Sequence, residues 1–246
     1  MVKLQFLGSG DAFGSGGRFN TCFMVDGGGT RFLIDCGATS LVAFSQFDVD
    51  PNSIDMIMLS HLHGDHFGGV PFFLVQAHSS VNRQRPLTIA GPRTTEQRVM
   101  ETLENLYPGA SSRNWRFDLN FEEYDVEQDW TFGPVSLTPY QAAHSAGEGP
   151  ALALRITVDG KILTYSGDGG WSDGLAKAAM GADLFIAECF FYDKNVDYHM
   201  SLETLRGHLD EIKPRRLILT HMDDDMLGRA EALEYETAHD GKIVDI

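Results

Sequence analysis

The sequence predicts an α/β protein (α+β) in which sheets are covered by helices. Three observations point there. Alternating strand runs dominate the N-terminal part, amphipathic helices recur between later strands, and single chemistry-bearing residues follow directly on apolar strand runs. Strands and helices that each carry one apolar face must bury it against another layer.

The elements follow in order. "VKLQFLG" alternates as a strand and runs into the Gly-rich loop "GSGDAFGSGG". "NTCFMVD" and "TRFLIDCG" flank a "GGG" turn and read as a hairpin. "SLVAFSQF" is a short helix, and "IDMIML" is a short apolar run suited to a buried strand. "GGVPFFLVQAHSS" reads as a helix with Pro71 in its first turn, where a missing N–H does no harm. "LTIAG" is a strand. "TTEQRVMETLENLY" is an amphipathic helix with Val99, Leu103 and Leu106 on one face and Thr94 or Thr95 as its cap. "RFDLNFEEY", "VSLTPYQAAH", "ALALRITVDG" and "KILTYSGD" form a strand series, with Asp159-Gly160 as a hairpin turn. There follow a helix from about Gly174, the strand "DLFIAE", and the helix "SLETLRGHLDEI", which buries Leu202, Leu205, Leu209 and Ile212. "RLILT" is a strand, "MLGRAEALEYE" a helix and "KIVDI" a last strand.

The 246 residues, 43% hydrophobic and 22% charged, suit one domain spanning 1–246. No apolar run is long enough for a membrane span. The N-terminal apolar stretch is too short for a secretory signal, so a cytoplasmic location is expected. Cys22, Cys36 and Cys189 are dispersed and odd in number, which implies buried thiols and no disulfide framework. Formal net charge is −16, and the only basic groupings, Arg83/Arg85 and Lys213/Arg215/Arg216, are short. Nucleic-acid binding draws on lysine and arginine at phosphates, so no large nucleic-acid surface is expected.

The chemistry is concentrated in "LSHLHGDHFGG". His61 and His63 are two apart, so in an extended stretch both point the same way and can grip one ion. Asp65 and His66, beyond the flexible Gly64, can turn toward a second position. His144, Asp168 and His221 each follow an apolar strand run, at the edge where sites in sheet proteins commonly form. The ligand count closes for two ions if Asp168 bridges them. A mixed imidazole and carboxylate set suits two divalent ions, Zn2+ first, with Mn2+ or Fe2+ as alternatives. His78 and His239 sit in polar stretches and read as solvated; His208 flanks an apolar helix face and reads as structural.

"HLHGDH" followed by a single His, Asp and His at strand ends resembles the metallo-β-lactamase fold superfamily over essentially the whole chain. The resemblance implies a four-layer αβ/βα sandwich with a two-metal site at its open edge. "FLGSGDAFGSGGRFNT", "LTIAGPRTTEQ" and "AECFFYDKNVDYHMSLETL" are similar to segments of its ribonuclease Z-like branch. In that branch a Glu and a His outside the metal shell act together, here Glu188 and His199, with the His protonating the leaving oxygen. A homodimer is likewise implied.

The departures narrow the branch. RNA-processing members insert a long arm after the third His region, whereas 23 residues separate His144 from Asp168 here and two strands occupy most of them. "HMSLETL" is closer to the branch's small phosphodiesterases. The expectation is therefore a hydrolase of a small phosphodiester or nucleotide, in which a hydroxide shared by two ions attacks phosphorus. Asp65 would hold an ion and orient the nucleophile, while His199, steadied by Glu188, acts as general acid. Asp35, ending "TRFLID", is a candidate to hold a ligand imidazole. The alternatives are a carboxyl-ester, lactone or thioester hydrolase, a tRNA 3′-processing endonuclease, and a metal-bound module without turnover.

Overall fold

In a computed structural model describing residues 1–147 and 149–246, two seven-stranded sheets stack face to face, with helices on both outer sides. In chain order the first part comprises β1 (Lys3–Gly8), β2 (Cys22–Gly27), β3 (Thr30–Ile34), α1 (Ser40–Gln46), β4 (Met56–Met58), α2 (Gly64–Phe67), α3 (Val70–Ser79), β5 (Leu87–Pro92), α4 (Thr95–Leu106) and β6 (Leu119–Tyr124). The second comprises β7 (Trp130–Phe132), β8 (Val135–Ser145), β9 (Pro150–Val158), β10 (Lys161–Tyr165), α5 (Asp173–Ala179), β11 (Leu184–Glu188), α6 (Leu202–Ile212), β12 (Leu217–Thr220), α7 (Asp224–Arg229), β13 (Glu236–Thr237) and β14 (Ile243–Asp245).

One sheet runs β14-β1-β2-β3-β4-β5-β6, the other β13-β12-β11-β10-β9-β8-β7. Each changes from antiparallel to parallel pairing, the first at β3 and the second at β10. Both expected tight hairpins form. Gly28 and Gly29, and Asp159 and Gly160, all take positive φ, which turns that match the strands' twist require. β4 is flanked on both sides and buried throughout, so its sequence is apolar without alternation.

The layers follow from the side chains. Between the sheets lie Phe6, Phe23 and Tyr165, packed edge to face with ring centroids 4.9 and 5.1 Å apart. Outside the first sheet, α1, α3 and α4 bury Phe44, Phe73, Val99 and Leu103. Outside the second, α5 and α6 bury Leu175, Leu202, Leu205 and Ile212. Each fully buried Leu or Phe contributes about 1.5–3 kcal/mol over its exposed state. The basic groupings are engaged within the fold. Arg83 is buried and donates to the carbonyls of Pro51, Ile54, Arg85 and Pro86, while Arg215 and Arg216 pair with Asp183 and Glu236.

Several sequence expectations are corrected. Neither Thr94 nor Thr95 caps α4 through its side chain; Thr95 donates to the Pro92 carbonyl instead. The helix expected over "MLGRAEALEYE" ends at Arg229, gives way to a single 3-10 turn, and Glu236 joins the short strand β13 beside β12. The strand over "RFDLNFEEY" begins at Leu119, and the short β7 had no strong sequence signal. Leu209 is only half-buried. His78, expected in solvent, is half-buried edge-on against Trp115. No helix among the described residues is long and apolar enough to cross a membrane.

Candidate metal centre

The site begins where β4 ends. Leu59 and Ser60 are still buried, and His61 is the first residue past the strand whose ring reaches the sheet edge. His63 is extended and caps the single helical turn α2, which carries Asp65 and His66. This turn, more than any freedom of Gly64, separates the two pairs. Gly64 has no positive φ and sits in open space. In helical geometry Asp65 and His66 rotate away from the line that His61 and His63 share.

Three donor atoms form one set. His63 Nδ1 lies 3.1 Å from His61 Nε2 and 3.1 Å from His144 Nε2. His144 is still within β8, one residue from its end, so the strand itself delivers the ring. A second set comprises Asp65, His66, Asp168 and His221. His66 Nε2 is 3.2 Å from Asp65 and 3.3 Å from Asp168 Oδ2, and His221 Nε2 is 3.3 and 3.4 Å from the same two carboxylates. Asp168, just past β10, also lies 3.9 Å from His61 Nε2, between the two sets.

The outward ring nitrogens of His61, His66 and His144 are anchored. His66 Nδ1 donates to Asp35 at 2.7 Å. Asp35 also accepts from the Ser60 N–H and from the Ser60 hydroxyl, both at 2.7 Å. That hydroxyl in turn lies 3.1 Å from His61 Nδ1, so His61 donates to it. One buried carboxylate thus orients a ring in each set and leaves both Nε2 lone pairs facing inward. His144 Nδ1 donates to the Tyr198 carbonyl at 2.9 Å. Asp35 was a sequence candidate; Ser60 and the Tyr198 carbonyl were not, and no residue-type signal marks them. His221 itself takes φ +55, a left-handed conformation costly for a residue with a Cβ, and its N–H is held by the Ser9 carbonyl of the Gly-rich loop.

Glu188 ends β11 and is buried. One of its oxygens accepts from His199 Nδ1 and lies 3.8 Å from His221 Nδ1; the other accepts from the Gly169 N–H. The His199 ring stacks on Phe190 at 4.8 Å, 5.3 Å from His144, and is partly open to solvent. Asp168, Glu188, His199 and His221 form a third cluster of donors that shares two members with the second set.

Electrostatics distinguish these groups. Burial, then neighbouring imidazoles, hold His61 below the ordinary histidine value, and burial also lowers His63 and His144. Burial opposes charge on His66 and His221 too, but Asp168 and the other nearby carboxylates outweigh it and raise both. Burial and then Asp168 push Glu188 well up, while burial lowers His199.

The residues fit divalent ions. His66 Nε2, Asp168 Oδ1 and His221 Nδ1 are buried without a hydrogen-bond partner among the described residues, a costly state that a ligand relieves for atoms facing the site. Imidazoles, three of them with an anchored Nδ1, together with two carboxylates are a donor set that zinc-type sites use.

The two stacked sheets with their outer helices are the metallo-β-lactamase fold, and the donor clusters lie where they could hold divalent ions. Bacillus subtilis YhfI, described as a metallo-β-lactamase fold protein, has a TM-score of 0.77 at 20% identity over 100% of both chains. A diphosphatase from the PhnP family has a TM-score of 0.80 at 17% identity, over 100% of this chain and 98% of that one. Among sequence relatives, ribonuclease Z of Lachnoclostridium phytofermentans is 33% identical over 52% of this chain, a match that spans only 40% of that enzyme. Ribonuclease Z of an Exiguobacterium strain is 23% identical over 97% of this chain and 94% of its own length. The chain belongs to the family described as anti-Pycsar protein Apyc1, which it matches over residues 2–240.

Proposed function

We propose that the chain is a phosphodiesterase that uses two divalent ions, Zn2+ foremost, to hydrolyse a small phosphodiester or nucleotide. The observation that carries this reading is the Glu188–His199 pair, placed at the rim of two converging donor sets. A hydrolase of activated esters has little need of a proton donor for its leaving group; an alkoxide leaving from phosphorus does.

His61, His63 and His144 would hold one ion, Asp65, His66 and His221 the other, with Asp168 reaching both. Bound there, the ions would acidify water toward neutral pH and offset charge on the phosphoryl oxygens. The chain's own residues do the rest. Asp35 and Ser60 fix ring tautomers, Asp65 orients the attacking oxygen, and Phe190 fixes the plane of the His199 ring. Glu188 holds His199 Nδ1, so the proton delivered to the leaving oxygen comes from Nε2. Small substrates are favoured by the net charge of −16 and by the segment between His144 and Asp168, which is taken up by β9 and β10.

The test is a panel of bis(p-nitrophenyl) phosphate, cyclic nucleotides, short RNA, a lactone and a thioester, run beside metal analysis. Metal-dependent turnover of the small phosphodiesters above all other substrates is expected. Preferential turnover of the lactone or thioester would overturn the reading.

A further inference from the structure

Most arginines of this acidic chain are already engaged: seven pair with carboxylates, and Arg83 and Arg155 donate to backbone carbonyls. Arg98 is different. It is exposed on α4, and no carboxylate among the described residues lies within ion-pair distance of its guanidinium. Two cavities meet at this side chain. One, of about 410 Å3, is bounded by α4 and by Ala146 and Gly147, just past β8; the other, of about 590 Å3, reaches Gly64 and Asp65. Leu62, His63 and Arg98 line both, so the groove opens directly onto the three-histidine set.

Glu101, three residues on, faces the first cavity beside Arg98. Residues three apart on a helix are neighbours and could neutralise one another. They do not. Glu101 instead accepts from the Gln97 side-chain amide at 2.9 Å. The same wall therefore presents a cation with free N–H donors and a carboxylate with acceptor capacity left over. A simple anion is poorly matched by that pairing, since the carboxylate repels it. A polar heterocycle carrying a C=O or ring-nitrogen acceptor next to an N–H donor matches it, as on the edge of a nucleobase.

We infer that this groove is a specificity subsite for the nucleobase of a nucleotide substrate, with Arg98 donating to a base acceptor and Glu101 accepting from a base amine. The inference rests on the phosphodiesterase reading for its substrate class, but not for its geometry. The subsite lies beside His63, which lines both cavities, while His199 lines neither.

Two measurements on metal-loaded protein test it. In the first, kcat/KM for a nucleoside phosphodiester is divided by that for bis(p-nitrophenyl) phosphate, which has no base. Arg98→Ala and Glu101→Gln are each expected to lower this ratio about tenfold, mostly through KM. The second is calorimetric binding of the four ribonucleoside monophosphates to wild type and both variants. Wild type is expected to discriminate among the bases, and each variant to lose that discrimination. If wild type turns over no phosphodiester yet shows base discrimination that the variants lose, the subsite stands and the reaction assignment falls. Equal affinity for all four monophosphates in wild type, or variants that leave both the ratio and the binding order unchanged, overturns the subsite.

Discussion

The two donor sets lie side by side, with the His61 and His66 rings 4.1 Å apart, yet they are built differently. The three-histidine set has no carboxylate except Asp168 at its border, and two of its members, His63 and His144, are half-exposed. The carboxylate set is almost wholly buried, and its His66 is gripped by Asp35 directly. His61 reaches the same Asp35 only through the Ser60 hydroxyl. Support and enclosure thus fall on one side of the centre and access on the other, where the groove along α4 opens. A fixed inner position beside an open outer one suits a reaction in which a substrate must enter while part of the site stays rigid.

The sharpest way to break this contrast is Asp168→Ala. It removes the one carboxylate that reaches both sets, so metal content measured by elemental analysis should fall by about one equivalent or more, with near-complete loss of turnover. Full wild-type metal content would sink the bridging role.

His199→Ala should come next. Both ions are retained, and turnover of an alkyl phosphodiester falls about 10²–10⁴-fold, while a p-nitrophenyl ester, whose leaving group needs no proton, loses far less. Equal rates for wild type and variant on the alkyl ester would remove His199 as the acid.

Asp35→Asn keeps the volume but weakens the hold on His66 and, through Ser60, on His61. Metal affinity, measured by competition with a chelator on protein shown to be folded by circular dichroism, should drop about 10–100-fold. A drop confined to one ion would show that the Ser60 link carries nothing.

The smallest effect expected is kinetic. Chelator should strip wild type in two phases, the faster from the half-exposed three-histidine set, and His63→Ala should abolish that fast phase. Single-phase release would mean that the difference in enclosure has no consequence for the ions.

Much of the centre was legible because its local part is dense. Three histidines and an aspartate within six residues have no packing role, and the apolar strands before His61, Asp168 and His221 show where each emerges. The hairpins were legible for the same local reason, since Gly28-Gly29 and Asp159-Gly160 supply the positive φ those turns need. The C-terminal helix was misjudged because "RAEALEYE" has helical propensity, which pairing of Glu236 beside β12 overrides. Thr94 does stand at the N-cap of α4, but in a left-handed conformation with φ +75 its side chain makes no capping hydrogen bond.

By itself, then, the sequence determined most of the strand and helix order and singled out the residues that the fold gathers into two clusters, since these depend on residue type and short-range spacing. Tertiary structure alone decided that one Asp35 serves rings in both sets, that the Tyr198 carbonyl fixes His144, and that Arg98 and Glu101 stay unpaired to each other beside His63. Those contacts join residues up to 54 positions apart, and a hydrogen bond or an open guanidinium is a matter of distance in space, which periodicity along the chain does not encode.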